Sequence, residues 1–403
     1  MQYLAILGRQ PKISLAELES LFSDVEYLGE NLAIFSAKES PEIARLGGVI
    51  KLAQSIDSAP EKFLTEYAKT YSFSGKFVIG ISDYSKRGAS GRIAQNEALR
   101  IKRFLKKQGF SVRVLPNKTA DLSSATVFHN QLGEKPGHFE FIKISKKWFV
   151  GIGVQNINAY TARDQARPAR DAKNGMLPPK LAQILINLCG PLPENARILD
   201  PFCGTGVVLQ EALLLGYRAY GTDKSERIVG YAKRNLDWLV KSNLAITASG
   251  DLSRQRERRI GSSPVTTGRA TGAPEAVTLG CADATNFTWQ QPIDAVVFEG
   301  YLGPPMSQIP AEIKMKSVIS DLLLLYYHTL KNLSRQIKSG TPVVMAVPAW
   351  LRPDGSYRRL KLLDEAEELG YNVVKYKSLS FSDLLYHREG QVVAREIIVL
   401  RKK

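Results

Sequence analysis

The stretch Ile198-Leu199-Asp200-Pro201-Phe202-Cys203-Gly204-Thr205-Gly206, followed by Val207-Val208-Leu209-Gln210-Glu211-Ala212, decides how the chain is read. An apolar run ends in a carboxylate, passes through Gly-Thr-Gly, and enters a segment of helical spacing. That is a strand, a tight loop and a helix start. The glycines let backbone approach a ligand, and the loop amides with the helix N-terminus suit its polar or anionic end. A dinucleotide fingerprint needs a third glycine, and Leu209 stands in its place, which removes the main support for a nicotinamide or flavin reading. The plain alternative at this stage is an ordinary strand-to-helix turn.

Working outward towards the C-terminus, the pattern alternates strand and helix. Strands are expected at Arg197–Leu199, Arg218–Gly221, Val277–Gly280, Ala295–Phe298, Pro342–Val347 and Val373–Lys377. Helices are expected at Val207–Leu215, Ser225–Lys241, Lys316–Lys338 and Tyr357–Glu368, with a closing hairpin through Glu389-Gly390-Gln391. This alternation predicts an α/β fold with a doubly wound, mostly parallel sheet, and the hairpin places one antiparallel strand near its end. Residues 252–276, rich in Arg, Ser, Thr and Gly with no apolar period, break the rhythm and read as a long insertion. An RNA-contacting arm is the alternative reading.

Upstream, Tyr3–Leu7 reads as a strand. Ser14 and Glu17 have the spacing of a capping box for a helix that buries Leu15, Leu18, Leu21 and Phe22. A strand at Lys76–Ile81, a basic helix from Gly91 to Gln108 and a hairpin around Lys146-Lys147 make a second α/β module. The boundaries expected are 1–61, 62–158, a polar linker at 159–175, and a large domain at 176–403.

Composition bounds the partners. The chain has 403 residues with a net charge of +16 and a pI near 9.6, which favours a polyanionic partner. No apolar run approaches the roughly 18 residues of a membrane span, the opening Met1-Gln2-Tyr3-Leu4 does not read as a secretory signal, and a membrane partner is not expected. Cys189, Cys203 and Cys281 form no Cys-x-x-Cys pair, and His129, His138, His328 and His387 have no paired spacing. A structural or catalytic metal is therefore not expected, and a reducing, cytoplasmic setting is. No Gly-x-Ser-x-Gly elbow supports a hydrolase.

Asp-Pro-Phe-Cys-Gly-Thr-Gly as a unit resembles the cofactor loop of S-adenosylmethionine-dependent methyltransferases acting on exocyclic amines of nucleic acids. Leu7-Gly8-Arg9-Gln10-Pro11, Leu15-Ala16-Glu17-Leu18, Asp121-Leu122-Ser123-Ser124-Ala125 and Ala159-Tyr160-Thr161-Ala162-Arg163-Asp164, leading to Arg167-Pro168-Ala169-Arg170-Asp171, are similar to the THUMP-domain tRNA guanosine-N2 methyltransferases. The resemblance implies a ferredoxin-like module and a THUMP module that hold tRNA, and a Rossmann-like domain that methylates it with S-adenosyl-L-methionine. It implies cofactor contacts from Asp200, Phe202, Gly204, Thr205 and Gly206, with Asp223 on the ribose hydroxyls, about 20 residues past the loop, and Asp283 on the adenine amine.

The catalytic stretch of that family follows a strand with an acid or Asn, two prolines and an aromatic residue. Here it reads Glu299-Gly300-Tyr301. The resemblance implies that Glu299 accepts the amine hydrogens, that Gly300 takes a proline position, and that Tyr301 stacks on the base. Glutamate keeps the acceptor chemistry with an extra methylene, and glycine is expected to loosen the loop. Two other readings stay open: a DNA amino-methyltransferase, and an RNA-binding protein whose altered loop no longer catalyses.

Overall fold

The computed structural model describes residues 1–85, 90–171, 176–242, 276–306, 308–309 and 312–403, with backbone alone at 266–267. Most of the expected insertion at 252–276 therefore lies outside the described residues. By contacts the chain divides into two compact units. The first is Met1–Pro11, Phe22–Ala44 and Val49–Ile157; the second is Lys12–Leu21, Arg45–Gly48 and Asn158–Lys403.

The first unit is built on β1 (Gln2–Leu7), β2 (Ser23–Gly29), β3 (Leu32–Ser36), β4 (Val49–Ile56), β5 (Phe77–Asp83), β6 (Val112–Val114), β7 (His138–Ile144) and β8 (Lys147–Val154). They form one sheet in the order β2-β3-β1-β4-β8-β7-β5-β6. The division expected at 61/62 thus falls within a continuous sheet, because β4 pairs antiparallel with β8. A charged group sits in this sheet's interior: Lys51 Nζ lies 2.6 Å from Glu140, and Ser82 also donates to that carboxylate. Lys51 Nζ also donates to Leu122 O at 3.0 Å, so the buried ammonium is partnered, as burial demands.

The helix read around Ser14 and Glu17 runs over Pro11–Leu21. Its first residue is proline, whose missing N–H costs nothing at a helix start. Ser14 and Glu17 therefore lie inside the helix, both buried, and the capping-box reading is corrected. Glu17 instead accepts from the amides of Gly47 and Gly48, each at 2.8 Å, and from Asn187 Nδ2 at 2.7 Å. Burial pushes its carboxyl up to about 7 against the opposing pull of these donors.

The second unit carries β9 (Arg197–Asp200), β10 (Arg218–Asp223), β11 (Thr266–Thr267), β12 (Val277–Cys281), β13 (Ala295–Glu299), β14 (Pro342–Leu351), β15 (Tyr357–Arg358), β16 (Tyr371–Val373), β17 (Leu385–Tyr386) and β18 (Val393–Lys402). The sheet order is β11-β12-β10-β9-β13-β14-β18-β16. Strands β11 to β14 pair in parallel, and β18 runs antiparallel to β14. This is the Rossmann-like doubly wound sheet with an antiparallel strand near the end. Its order reverses direction at β9, with β10 on one side and β13 on the other, and the carboxyl ends there open a crevice for a ligand. Two apolar layers enclose the sheet. One contains Ile198, Val297 and Ala346, the other Leu199, Phe298 and Met345, as the alternation of side chains along a strand requires.

Three elements differ from the sequence reading. The strand expected at Val373–Lys377 is Tyr371–Val373. The helix expected at Tyr357–Glu368 is a short strand, Tyr357–Arg358, followed by a helix of only Leu362–Ala366. Leu360, Leu362 and Ala366 are buried there, but their spacing serves a turn and one helical turn rather than a long helix. The polar linker at 159–175 begins as helix, Ile157–Gln165. Tyr160 hydroxyl donates to Gln183, and Arg163 Nε lies 2.7 Å from Glu211 with both side chains buried. A charged residue reads as surface in sequence, and its buried partner 48 residues away is invisible there.

Candidate active site

Around the crevice between β9, β10, β12 and β13 lies a cleft of about 1020 Å³. The glycine loop forms one wall. Gly206 has φ +86° and starts the helix Val207–Leu214. A Cβ there would meet Ala232 at 3.2 Å in addition to the left-handed strain. Cys203 N donates to Thr222 O at 2.8 Å and Gly206 N to Cys203 O at 2.7 Å, so the loop is fastened to the end of β10. Asn235, fully buried, donates to Thr205 O and Ala169 O, each at 2.9 Å, and accepts from Ala169 N. It thereby holds the stretch leading to Asp171 against the loop.

Asp200, Phe202, Gly204 and Thr205 line the cleft; Gly206 does not. Gly206 turns the chain from that loop into the helix. Phe202 packs on Phe298 with ring centroids 5.3 Å apart. Asp200 is buried and accepts from Phe202 N at 3.0 Å. Burial holds its carboxyl well above the ordinary range, and the charges of Asp223 and Glu299 add to the effect.

Asp223 and Asp283 also face the cleft. Asp223 accepts from Gly204 N at 3.1 Å and Ser225 N at 2.9 Å, so this carboxylate joins the glycine loop to the end of β10. Burial raises its pKa and the two amides oppose that rise. Asp283 accepts from Thr285 N and Oγ1, at 3.0 and 2.7 Å, and pairs with Lys224 Nζ at 2.9 Å. These partners, Lys224 first, lower its pKa to about 2.

Glu299, Gly300 and Tyr301 form the opposite wall of the same cleft. Gly300 N continues the ladder by donating to Ala346 O at 3.0 Å. The loosening expected of glycine is countered by Tyr326. A Cβ on Gly300 would stand 2.3 Å from the Tyr326 ring and 2.5 Å from its hydroxyl, and that hydroxyl donates to Tyr301 O at 2.7 Å. Tyr326 is fully buried while Tyr301 is 48% exposed. The aromatic face expected to stack on a base is therefore presented openly on a loop fixed from below. Pro304 and Pro305 continue along the same wall.

The sequence reading missed Arg395. Its Nε donates to Glu299 Oε1, and the pair is largely buried, the two side chains 7% and 15% exposed. Glu299 opposes Ala346, Ala346 opposes Ile397, and Arg395 lies two residues from Ile397 on β18. Period-two alternation therefore puts both charged side chains on one sheet face. The available signal was an Arg-Glu pair inside the otherwise apolar run Val392–Leu400. Burial raises the Glu299 pKa, and Arg395 pulls it back. Arg388 also borders the cleft.

The donor and acceptor set fits an S-adenosylmethionine-type ligand. Several carboxylates face one cleft where burial disfavours their ionisation, an arrangement relieved by a cation such as a sulfonium or ammonium group. The glycine-loop amides and helix N-terminus suit a carboxylate.

Residues 167–349 match the family model described as "UPF0020: RMKL-like, methyltransferase domain". The chain is 45% identical over 75 residues to a tRNA (guanine(10)-N2)-dimethyltransferase of Methanothermobacter thermautotrophicus, covering 18% of this chain and 22% of that one. It is 31% identical over 124 residues to the enzyme of the same name from Pyrococcus abyssi, covering 30% and 36%. The matched segments thus span about a third or less of these relatives. Among solved structures, TrmN from Thermus thermophilus aligns over 100% of both chains at 17% identity with a TM-score of 0.44.

Proposed function

We propose that this protein transfers a methyl group from S-adenosyl-L-methionine to an exocyclic amine of RNA, with tRNA as the substrate and guanine N2 as the atom. The observation that carries the reading is that the glycine loop, Asp223 and Glu299-Gly300-Tyr301 line one cleft at the reversal point of the sheet. The names of the matching relatives supply the tRNA and the guanine. The net charge of +16 suits a polyanion. In this reading the modules expected at 1–61 and 62–158 hold the RNA, 159–175 joins them to the catalytic domain at 176–403, and the setting is cytoplasmic.

The cofactor supplies an electrophilic methyl carbon on a cationic sulfur. The chain's own residues do the rest. Asp223 accepts from the ribose hydroxyls and Asp283 from the adenine amine. Asp200, Phe202, Gly204 and Thr205 shape the wall beside them. Across the cleft, Glu299 accepts a hydrogen of the target amine and so orients the nitrogen lone pair, and Tyr301 stacks on the base once it has left its own stack. Tyr326 holds the loop that carries both.

The test is direct. Purified protein incubated with labelled cofactor and bulk tRNA should yield N2-methylated guanosine by nucleoside mass spectrometry. Absence of label from every RNA tried would overturn the reading.

A further inference from the structure

A carboxylate that only had to accept one amine hydrogen would not need a buried arginine. Burying an ion pair costs desolvation that its mutual attraction seldom repays with much to spare, yet Arg395 and Glu299 are paired on the cleft wall with little exposure. Glu299 faces Arg395 from β18, the Asp200 carboxylate from β9, and the buried Tyr326 hydroxyl from the helix Glu312–Ser334. Its in-register neighbour on β14 is the uncharged Ala346. Among the described residues, Arg395 is the basic group facing Glu299, set against one acid and one neutral phenol.

An ionised carboxylate accepts through two oxygens and donates nothing. With Oε1 fixed by Arg395, the group presents a rigid pair of acceptors beside Tyr301. Guanine offers two adjacent donors on one edge, its exocyclic amine and the neighbouring ring N–H. Adenine and cytosine offer an amine beside a ring nitrogen that is itself an acceptor. Against a fixed carboxylate that arrangement sets lone pair against lone pair and leaves buried acceptors unpaired.

We propose that Arg395 is a positioning residue that keeps Glu299 an ionised, fixed double acceptor, and that this acceptor selects an amine flanked by a ring N–H, the edge of guanine, over the amines of adenine and cytosine. The inference rests on the amine-transfer reading above and adds to it the origin of base choice. A protonated Glu299 would carry a donor where the ring N–H needs an acceptor, so transfer should fail on the acid side of its titration. Removing Arg395 takes away the group that favours ionisation, so that acidic limb must move to higher pH.

The experiment uses full-length protein, labelled cofactor and bulk tRNA, with nucleoside mass spectrometry identifying the methylated base across a pH series. Cofactor binding is measured by calorimetry on each variant. Arg395→Gln should bind cofactor as the parent does, lose about 100-fold in transfer at neutral pH, and show an acidic limb raised by about 1–3 pH units. Arg395→Lys, which keeps the charge, should restore the limb. Glu299→Gln should lose guanosine transfer at every pH, because its amide N–H opposes the ring N–H. An unmoved limb in Arg395→Gln, or parent protein that methylates adenosine or cytidine amines as readily as guanosine, would overturn this proposal and leave amine transfer standing. Parent protein that binds cofactor but labels no RNA would overturn amine transfer itself, and this proposal with it.

Discussion

The two walls of the cleft are held by different kinds of contact. On the cofactor wall, each carboxylate grips an amide two residues on, with Asp200 taking Phe202 N, Asp223 taking Ser225 N and Asp283 taking Thr285 N, beside longer-range bonds from Gly204 N to Asp223 and from Asn235 to Thr205 O. On the acceptor wall the holding groups come from afar. Tyr326 lies 25 residues beyond Tyr301, and Arg395 lies 96 residues beyond Glu299. A wall in which each carboxylate also caps its own local turn is set in part by its short motifs. A wall braced by distant side chains exists only in the finished fold, so its geometry should respond to substitutions far away in sequence.

The largest effect expected from this contrast is at Gly300. Gly300→Ala drives a methyl into the Tyr326 ring, and the loop must shift to accommodate it. We expect transfer to fall by about 100-fold or more with cofactor affinity unchanged, read by steady-state kinetics beside calorimetry. Equal loss of both would show that the two walls are one mechanical unit. Asp223→Asn comes next, on the other wall. Asparagine presents an N–H to one of the two amides that Asp223 now accepts from. Cofactor binding should weaken by about 10–100-fold, the scale of one hydrogen bond to a charged group, while transfer at saturating cofactor stays closer to the parent.

Tyr326→Phe is a finer probe. It keeps the ring against Gly300 and removes only the bond to Tyr301 O. About 1 kcal/mol is at stake, and the expected result is a several-fold drop in kcat with little change in cofactor affinity. The smallest effect belongs to Lys224→Met, because Lys224 is solvent-exposed and exposed ion pairs contribute little. Cofactor affinity should change by less than about fivefold. The Asp283 pKa, lowered to about 2 mainly by Lys224, should rise in a carboxyl-carbon NMR titration. A depressed carboxylate favours the folded state above its unfolded-chain pKa and loses that advantage as pH falls through its folded value. Lys224→Met should therefore flatten the stability profile only below about pH 4.

The same division explains which parts of the sequence could be read. The parallel core strands followed from apolar runs ending in carboxylates, and the glycine loop from a seven-residue motif. Errors fell where a residue's partner was distant. Ser14 and Glu17 have capping spacing, yet Glu17 serves the amides of Gly47 and Gly48 and the side chain of Asn187. Ala159 to Arg163 looked like linker because Arg163 appears solvated until Glu211 is beside it. Gly300 looked like a weakening of the loop, since nothing nearby in sequence announces Tyr326.

By itself the sequence determined the α/β winding, the carboxylate at the end of each central strand, and the tight loop opening the first helix of that domain. These depend on period and on neighbours within a few residues, which a linear chain displays directly. Only the tertiary structure decided that Glu299 is paired with Arg395, that Gly300 seats the Tyr326 ring, and that the N-terminal helix groups with the second unit. Those are meetings of side chains brought together by sheet order and burial, and the linear order of residues does not encode them locally.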